Sequence, residues 1–522
     1  MSRVRYLAAS LIWLVFVSPA FAGNKNKAQS DRKLPHDIEA ILDDPDSARG
    51  FWGIYAVSLK SNQTIFALNE DKLFTPASNA KLFTTAAVFG LIGPSYRFKT
   101  TVETLGSLDK YGRLNADLVL VGRGDPNLSG RGLPYNMHTE RKAPPIQVLQ
   151  ELADQLVQHG LKYVDGDVVA DDSYFVWQRY DEGWSQDDLA REWGAPVSAL
   201  TINDNVIFVN IMPADRPGER AFLNITPFPE YYKIDNRVMT TPQGSGPRTV
   251  SINREPGANL ITFWGNIPQD DPGFGEALAI DDPADFSARL FRQLLEERGV
   301  TIYGRARTHH TELASTQTIS VTSMASGGGD AARPPNPLPL VLASYQSQPV
   351  AEDLRVINKV SQNLHAELML RLLGKEKGTS GSIESGLEVL RGFLVNAGVK
   401  PDQFVFYDGS GLSREDLVTP DAVVTLLRYS HQQSWAQAYE DTLPVAAVDG
   451  SLAERFRNTP AAGNVKAKTG SLAHVYSLAG YATTQSGDHI VFSVMTNNNN
   501  MSAKKALDTI DRIVVRLVED KK

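Results

Sequence analysis

The pattern of apolar and polar positions predicts a strand pair near the N-terminal end of the chain. Residues 52–59 and 64–68 have strand patterns and flank a polar turn at 60–63, which is typical of a β-hairpin. An apolar stretch of helical character, residues 79–88, comes next. Ser78 stands where helices commonly begin. We therefore expect Ser78 at the N-terminus of a helix.

The C-terminal end supplies matching elements. Residues 465–469, 477–483 and 490–495 have strand patterns, and a final helix capped by Ser502 is predicted from an apolar face. That face consists of Leu507, Ile510, Ile513, Val514 and Leu517. Strands from the two ends are expected to share one antiparallel sheet with helices packed on it.

The middle of the chain is predicted to be an insertion in the domain that the two ends of the chain form. Gly-rich and Pro-rich stretches at 327–329 and 334–337 mark a boundary linker. At 522 residues the chain is long enough for two or three domains. We expect an α/β (α+β) fold in which 23–95 and 335–522 form one domain. Residues 96–334 would form an accessory region of two β-rich subdomains.

The first 22 residues have the pattern of a secretory signal peptide. Arg3 and Arg5 precede an apolar run at 6–17, and small residues allow cleavage after Ala22. The alternative, a membrane helix, is disfavoured because the run is shorter than the roughly 20 residues that span a bilayer. We expect a periplasmic protein without a stable membrane anchor.

Composition excludes several other classes of protein. The chain has no cysteine, so neither a disulfide framework nor a lipid-bearing cysteine is possible. Acidic side chains outnumber basic ones, 60 to 52, which disfavours a nucleic-acid partner. The nine histidines form no His-Glu-x-x-His pattern, and the pair His309-His310 is expected at the surface. We therefore expect no metal and no cofactor.

The first candidate motif is Ser-Asn-Ala-Lys at residues 78–81. Side chains three positions apart lie on one face of a helix, so Lys81 is placed to take the hydroxyl proton of Ser78. The motif is weak by itself because the same spacing recurs where a polar tail, a turn or a helix cap explains it. These recurrences are Ser30/Lys33, Ser107/Lys110 and Ser502/Lys505.

The second motif is Lys468-Thr469-Gly470, which occurs once and lies on a predicted strand. Gly470 would let a substrate backbone approach closely, Thr469 offers a hydroxyl, and Lys468 offers a cation for a carboxylate. The alternative interpretation is an edge lysine before a turn.

The third motif, Ser361-Gln362-Asn363, places a hydroxyl and an amide two residues apart in a stretch of helical pattern, residues 354–373. In isolation it indicates only a polar helix face. The order of the three motifs changes this interpretation, because Ser-x-x-Lys, Ser-x-Asn and Lys-Thr-Gly in this order are the signature of penicillin-binding proteins and serine β-lactamases.

The chain resembles one family in particular. Ser78 and Ser361 are 283 positions apart, which is too far for a compact β-lactamase, whereas class C low-molecular-mass penicillin-binding proteins carry an insert of this kind. Those proteins are D-alanyl-D-alanine carboxypeptidases and endopeptidases. Further stretches that carry the resemblance are 76–84, 122–126 (Gly-Arg-Gly-Asp-Pro), 171–175, 408–414 (Asp-Gly-Ser-Gly-Leu-Ser-Arg) and 468–472.

The resemblance implies a penicillin-binding/serine β-lactamase-like domain and a covalent mechanism. Ser78 would attack the D-Ala-D-Ala carbonyl of a peptidoglycan stem, with Lys81 as the base. Burial and the nearby ammonium of Lys468 would lower the pKa of Lys81. The products would be an acyl-enzyme and free D-alanine. β-Lactams would acylate the same serine.

The resemblance also assigns supporting roles. Ser361 would relay a proton to the leaving amine, Asn363 would hold the substrate amide, and Lys468 with Thr469 would bind the terminal carboxylate. Backbone N–H groups of Ser78 and Ser471 would stabilise the oxyanion. Gly470 and Leu472 are the remaining substrate-binding positions on the predicted strand that carries Lys-Thr-Gly.

The resemblance further implies a pocket for the stem's diamino-acid side chain, formed here by Asp188, Trp193 and Arg414, with Asp187 as an alternative acid. A surface location for the acids and a packing role for the tryptophan would explain the same residues.

Two other functions stay open: a β-lactamase-like hydrolase, and a non-catalytic wall-binding or β-lactam-sensing module. The three intact motifs favour an enzyme. The sequence does not separate carboxypeptidase from endopeptidase activity.

Overall fold

The computed structural model describes residues 33–133, 144–255, 257–313 and 338–521. The predicted signal peptide and the predicted linker at 327–337 lie outside these ranges. Among the helices that are described, none is long and apolar enough to cross a membrane.

The α-helices of the described residues are α1 (Lys33–Leu42), α2 (Ala80–Leu91), α3 (Gln147–Gln158), α4 (Pro283–Glu297), α5 (Val350–Val360), α6 (Asn363–Lys377), α7 (Ile383–Asn396), α8 (Pro420–His431), α9 (Ala436–Glu440) and α10 (Ala503–Val518). The strands are β1 (Phe51–Ser58), β2 (Thr64–Leu68), β3 (Lys99–Thr104), β4 (Arg113–Leu114), β5 (Leu118–Val121), β6 (Asp125–Leu128), β7 (Tyr163–Val164), β8 (Val168–Val176), β9 (Leu200–Ile202), β10 (Val206–Met212), β11 (Phe222–Thr226), β12 (Lys233–Thr241), β13 (Ser251–Asn253), β14 (Leu260–Pro268), β15 (Phe274–Ala279), β16 (Thr301–Ile302), β17 (Ala306–Thr311), β18 (Leu340–Gln346), β19 (Phe404–Val405), β20 (Leu417–Val418), β21 (Lys466–Leu472), β22 (Val475–Thr483) and β23 (His489–Asn497).

Strands from both ends of the chain form one antiparallel sheet in the order β2-β1-β23-β22-β21. The predicted hairpin is confirmed, since Ile54 pairs with Leu68. The predicted sharing of the sheet is also confirmed, since β1 pairs with β23 along its whole length.

Both faces of this sheet are buried. Along β1, Ile54 packs against α1 and α10, whereas Val57 packs against the helices on the other face, as the alternation of side chains along a strand requires. The final helix begins as predicted, because the Ser502 side chain accepts a hydrogen bond from the backbone N–H of Lys505.

Helix α2 runs through the core rather than along the surface. Its residues from Ala80 to Phe89 are all buried, which is typical of a helix that is apolar on every side. This burial holds Lys81, in the first turn of α2, at a fixed depth.

The insert is built on a five-stranded sheet in the order β17-β8-β5-β3-β18, together with α3, α4 and smaller sheets. One apolar cluster runs through these elements and includes Leu118, Phe263 and Phe291. The chain enters the sheet on β3 and leaves it on β18, and the two strands are antiparallel neighbours. Because β18 lies after residue 334, we place the end of the insert sheet at Gln346. The division into two subdomains stays a prediction.

Candidate active site

Ser78 and Lys81 are joined by a hydrogen bond. Ser78 lies in a 3-10 turn, Ala77–Asn79, that leads directly into α2. The Nζ atom of Lys81 lies 2.9 Å from the Oγ atom of Ser78, so the predicted spacing does bring the two groups together. Ser78 is half-buried and Lys81 is fully buried.

Lys81 has two further hydrogen-bond partners. Its Nζ atom lies 2.6 Å from Oδ1 of Asn363 and 2.6 Å from the carbonyl oxygen of Ser410. A neutral lysine has two N–H donors and one lone pair. Neutral Lys81 can therefore donate to Asn363 and Ser410 while its lone pair accepts the Ser78 proton.

Burial lowers the pKa of Lys81 to about 8, against the opposing attraction of the Asp408, Glu367 and Asp416 carboxylates. Burial and the charge of Lys468 were the two expected causes; burial is the one that lowers the pKa of Lys81, whereas the repulsion between the two lysines acts on Lys468. Burial, followed by the charge of Lys81, lowers the pKa of Lys468 well below its usual range. The two buried ammonium groups thus disfavour double protonation, and a neutral lysine is accessible near neutral pH.

Ser361 and Asn363 do not lie on one continuous helix, contrary to the predicted stretch at 354–373. Helix α5 ends at Val360 because Ser361 adopts a left-handed conformation with φ +66°. The next helix begins at Asn363, and the Gln362 side chain caps it by accepting from the Leu364 N–H. Strained residues of this kind are typical of functional sites. Because of this break in the helix, Ser361 contacts Lys468 and Asn363 contacts Lys81.

Lys468 contacts the hydroxyl of Ser361. Its Nζ atom lies 2.9 Å from Ser361 Oγ and 2.8 Å from the carbonyl oxygen of Thr469. The Thr469 hydroxyl lies 2.8 Å from Ser451 Oγ. Lys468 is fully buried, whereas Thr469 is half-buried. The structure therefore places two hydrogen-bonded groups side by side: Lys81 with Ser78 and Asn363, and Lys468 with Ser361, with the charges of the two lysines close enough to interact.

Strand β21, which carries Lys-Thr-Gly, is the last strand of the sheet. An edge strand has unpaired backbone groups that can bind an extended peptide. Beyond Gly470, Ser471 is exposed and Leu472 is half-buried. This edge is the place where the predicted substrate-binding residues line up.

Gly470 passes very close to the nucleophile. A Cβ atom at this position would lie 2.7 Å from the carbonyl oxygen of Pro76 and 3.1 Å from the backbone nitrogen of Ser78, and it would also clash with Ser477 Oγ. Only glycine fits this approach. The Ser477 hydroxyl donates to the same Pro76 carbonyl at 2.7 Å, which fixes the turn before Ser78 to the sheet.

The loop at 408–414, of which only Arg414 was assigned to the site from the sequence, presents the Ser410 carbonyl to Lys81. Its anchor is the buried carboxylate of Asp408, which accepts from the backbone N–H groups of Ser410, Gly411 and Ser413 at 3.1, 2.6 and 2.6 Å. The Trp184 indole of the insert donates to Asp408 at 2.9 Å. The motif at 408–414 marks this loop in the sequence, but the contact with Lys81 is made by a backbone oxygen, so the motif does not identify Ser410 as its partner.

Further buried charges lie behind this loop. Glu367 accepts from the Gly409 N–H at 3.0 Å and pairs with Arg371, which also pairs with Asp181. Burial, reinforced by Asp181 and Asp408, holds the pKa of Glu367 well above its usual range. The pKa of Asp416 is also raised well above its usual range, by burial and by Asp408.

The structure connects two of the three predicted side-chain pocket residues. Trp193 Nε1 donates to Asp188 Oδ1 at 2.7 Å, and Asn363 Nδ2 donates to the Trp193 carbonyl at 2.8 Å. A cavity of about 710 Å³ has walls that include Asp187, Asp188 and Trp193. Arg414 is exposed, and among the described residues it does not line this cavity. Its backbone N–H donates a hydrogen bond to the Gly183 carbonyl at 3.2 Å.

The predicted surface pair of histidines lies in the insert. His309 is exposed and His310 is half-buried, and each contacts an aspartate, at 3.0 and 2.7 Å. Within the described ranges, no group of three or more histidine, aspartate or glutamate side chains is arranged to hold a metal ion.

The chain is similar to known proteins over nearly its whole length. A family model described as the D-Ala-D-Ala carboxypeptidase 3 (S13) family matches residues 34–325 and 332–519. The D-alanyl-D-alanine carboxypeptidase of an Actinomadura species is 32% identical over 517 residues, which cover 97% of this chain and 88% of that protein. The D-alanyl-D-alanine carboxypeptidase DacB of Haemophilus influenzae is 25% identical, with 94% and 92% covered.

The fold is also that of a solved structure. Penicillin-binding protein 4 (dacB) from Haemophilus influenzae superimposes with a TM-score of 0.76 at 23% identity, covering 93% of this chain and 99% of that one. The expected penicillin-binding fold is thus confirmed. The chain belongs to the D-Ala-D-Ala carboxypeptidase 3 (S13) family, the class C low-molecular-mass penicillin-binding proteins that its motifs resemble.

Proposed function

We propose that the chain is a serine DD-peptidase that cleaves the D-Ala-D-Ala end of peptidoglycan stem peptides through an acyl-enzyme on Ser78. The observation that carries this proposal is the contact of Lys81 Nζ with Ser78 Oγ at 2.9 Å in a buried environment. A serine hydroxyl is a weak nucleophile unless a base takes its proton. The family to which the chain belongs supports the same activity.

Acylation begins when the Ser78 oxygen bonds to the carbonyl carbon of the penultimate D-alanine. The hydroxyl proton passes to the lone pair of neutral Lys81, and the electron pair of the C=O bond moves onto oxygen. We assign the oxyanion to the backbone N–H groups of Ser78 and Ser471, because donors aimed at developing charge stabilise such intermediates. The close approach of Gly470 to Ser78 N supports this assignment.

The tetrahedral intermediate collapses as its C–N bond breaks. The leaving amine takes the hydroxyl proton of Ser361, and Lys468, 2.9 Å from Ser361 Oγ, replaces that proton. D-Alanine leaves, and an ester joins the remaining stem to Ser78. Water then attacks the ester carbon and loses a proton to Lys468, which acylation left neutral, while Lys81 returns its proton to the Ser78 oxygen as the ester bond breaks. The same steps cleave a cross-link when the leaving amine belongs to a diaminopimelate side chain.

Substrate binding follows from the edge strand. We assign the terminal carboxylate to Lys468 and the Thr469 hydroxyl, and the stem backbone to the edge of β21 at Ser471 and Leu472. Asn363 would hold the substrate amide, since its carboxamide oxygen lies 2.6 Å from Lys81 Nζ.

The diamino-acid side chain of the stem is assigned to Asp188, Trp193 and Arg414. The Oδ2 atom of Asp188 is buried and has no hydrogen-bond partner among the described residues. An ammonium group would satisfy it, because buried polar atoms are normally paired. Arg414 is exposed on the neighbouring loop and is available to a carboxylate of the same side chain.

The remaining proposals concern location and inhibitors. Residues 1–22 would direct export to the periplasm and be removed after Ala22. β-Lactams would acylate Ser78 and persist there, because their amine stays tethered after ring opening and blocks the approach of water.

The test is release of D-alanine from a diaminopimelate-bearing pentapeptide stem by the full-length protein and by Ser78→Ala. We expect release by the parent alone. Equal release by both proteins, or none by the parent, would contradict the proposal. Fast hydrolysis of benzylpenicillin without D-alanine release would favour a β-lactamase-like hydrolase.

A further inference from the structure

A buried network of charged side chains joins the insert to the Ser-x-Asn segment. Its centre is His365, a fully buried residue of α6. His365 Nδ1 lies 2.7 Å from Asp353 Oδ1, and its Nε2 lies 3.2 Å from Oδ1 of Asp204, which belongs to the insert. Arg131, also of the insert, forms a buried ion pair with Asp204. None of these groups takes part in the mechanism above.

Asp204 also contacts Gln362, the middle residue of the Ser-x-Asn motif. Gln362 Nε2 donates to Asp204 Oδ2 at 3.0 Å, while Gln362 Oε1 accepts from the Leu364 N–H at 3.1 Å. One carboxamide therefore ties the start of α6 to the insert. It does so at the point where the chain turns between Ser361 and Asn363.

The insert side of this contact adopts a conformation that non-glycine residues rarely have. Asn203, Asp204 and Asn205 have φ values of +52°, +55° and +54°. Their neighbours hold this shape: Asn203 Nδ2 donates to the Val206 carbonyl at 2.8 Å, and Asn205 Nδ2 donates to the Pro196 carbonyl at 2.9 Å. Strain of this kind persists only where the surroundings impose it, and it concentrates at functional sites.

We propose that Asp204 is a positioning residue that acts through the Gln362 side chain to keep Ser361 and Asn363 in contact with the two active-site lysines. The inference rests on the proposed function. Ser361 and Asn363 flank Gln362 directly, so a displacement of Gln362 shifts both contacts at once. A misplacement of about 1 Å costs on the order of 100-fold in rate. The insert would then hold the catalytic groups as well as govern substrate access.

The experiment uses the full-length protein with Asp204→Asn, Gln362→Met and the double variant. Acylation of Ser78 by benzylpenicillin is followed by intact mass after rapid quenching, over a range of drug concentrations. This separates the acylation rate constant from the dissociation constant of the drug. We expect each single variant to lower the rate constant about tenfold or more, with less than about a threefold change in the dissociation constant. The double variant should be no slower than the slower single one, because both changes remove the same contact.

Asp172→Asn is the matched control. Asp172 is a buried aspartate of the insert that pairs with a histidine, His310, at 2.7 Å, and it also accepts from Ser198. We expect this variant to lower the melting temperature as Asp204→Asn does, while its acylation rate constant stays within about twofold of the parent.

Two results would overturn the inference: parental rate constants in both single variants, or additive losses in the double variant. If Asp204→Asn does not fold, Gln362→Met is used by itself: it removes the contact with Asp204 and the cap of α6 together, so a parental rate constant in that variant is enough to overturn the inference. The experiment also distinguishes failure of the proposed function, because in that case the parent protein itself forms no adduct on Ser78.

Discussion

The carboxamide oxygen of Asn363 lies 2.6 Å from the Nζ atom of Lys81, although 282 positions separate the two residues in the chain. The amide nitrogen of the same side chain donates to the carbonyl oxygen of Trp193 in the insert. A single side chain therefore links the proposed base to the insert. For this reason, substitutions in the insert are expected to change the rate of chemistry as well as substrate binding.

The acylation rate should rise with pH. The pKa of Lys81 is lowered to about 8, and its neutral form is the one that takes the Ser78 proton. The rate constant should therefore increase about tenfold per pH unit below 8 and level off above it. Stopped-flow acylation by a chromogenic cephalosporin between pH 6 and 9 measures this.

Lys81→Arg is the companion variant, because a guanidinium stays charged over this range. It should lose acylation by at least about a thousandfold. A parental rate that does not change between pH 6 and 9 would remove Lys81 as the base.

Gly470→Ala should slow acylation through a steric conflict. The added methyl group would lie 2.7 Å from the Pro76 carbonyl and 3.1 Å from Ser78 N, so the edge strand or the nucleophile must move. We expect a loss of about 100-fold or more in acylation and about 1–3 kcal/mol of stability. Gly392→Ala is the control: this helical glycine has open space around it, and alanine there should stabilise the protein slightly. Full activity in Gly470→Ala would contradict the described approach of β21 to Ser78.

Asp408→Asn should shift the pH profile to lower pH. The carboxylate of Asp408 raises the pKa of Lys81 against the effect of burial, so its neutralisation should move the rising limb below pH 8. The new amide group would also face backbone donors, at a cost of about 1–3 kcal/mol in stability. Asp71→Asn, at an exposed site, serves as the control for loss of one charge. An unchanged limb would show that Asp408 has only a structural role.

The pocket assignment predicts selectivity between substrates. Asp188→Asn should raise KM for diaminopimelate-bearing stems about tenfold or more, because the unpaired Oδ2 atom would no longer attract an ammonium group. Simple acyl-D-Ala-D-Ala peptides should be cleaved as by the parent. Asp187→Asn is the matched control at the adjacent exposed acid. If Asp187→Asn has the larger effect, the acidic role belongs to Asp187.

Most elements of the sheet domain were predictable from the local periodicity of apolar residues. The hairpin, the C-terminal strands and the final helix were predictable because each buries an apolar face that repeats at a fixed interval. The contact between Ser78 and Lys81 followed for the same reason, since a spacing of three places both side chains on one helix face. Conversely, the helix break at Ser361 was missed, because its apolar pattern continues through the break and the left-handed turn has no glycine.

The contacts made by backbone atoms could not be predicted. The Ser410 and Trp193 carbonyls contact Lys81 and Asn363, and a carbonyl is present at every position of a chain. The link from Asp204 to Gln362 joins residues 158 positions apart, and no local pattern pairs them. Burial was predicted as one cause of the lowered pKa of Lys81, but its dominance over the charge of Lys468 was not, because the depth of Lys81 in the core depends on how α2 packs.

Ser78 as the nucleophile is tested most directly by the intact mass of the mature protein and of Ser78→Ala after brief exposure to benzylpenicillin, followed over hours. We expect a persistent adduct of one drug molecule on the parent and none on the variant. An adduct on both proteins, or on neither, would contradict Ser78 as the nucleophile. A short-lived adduct with rapid loss of the drug would contradict a penicillin-sensitive DD-peptidase.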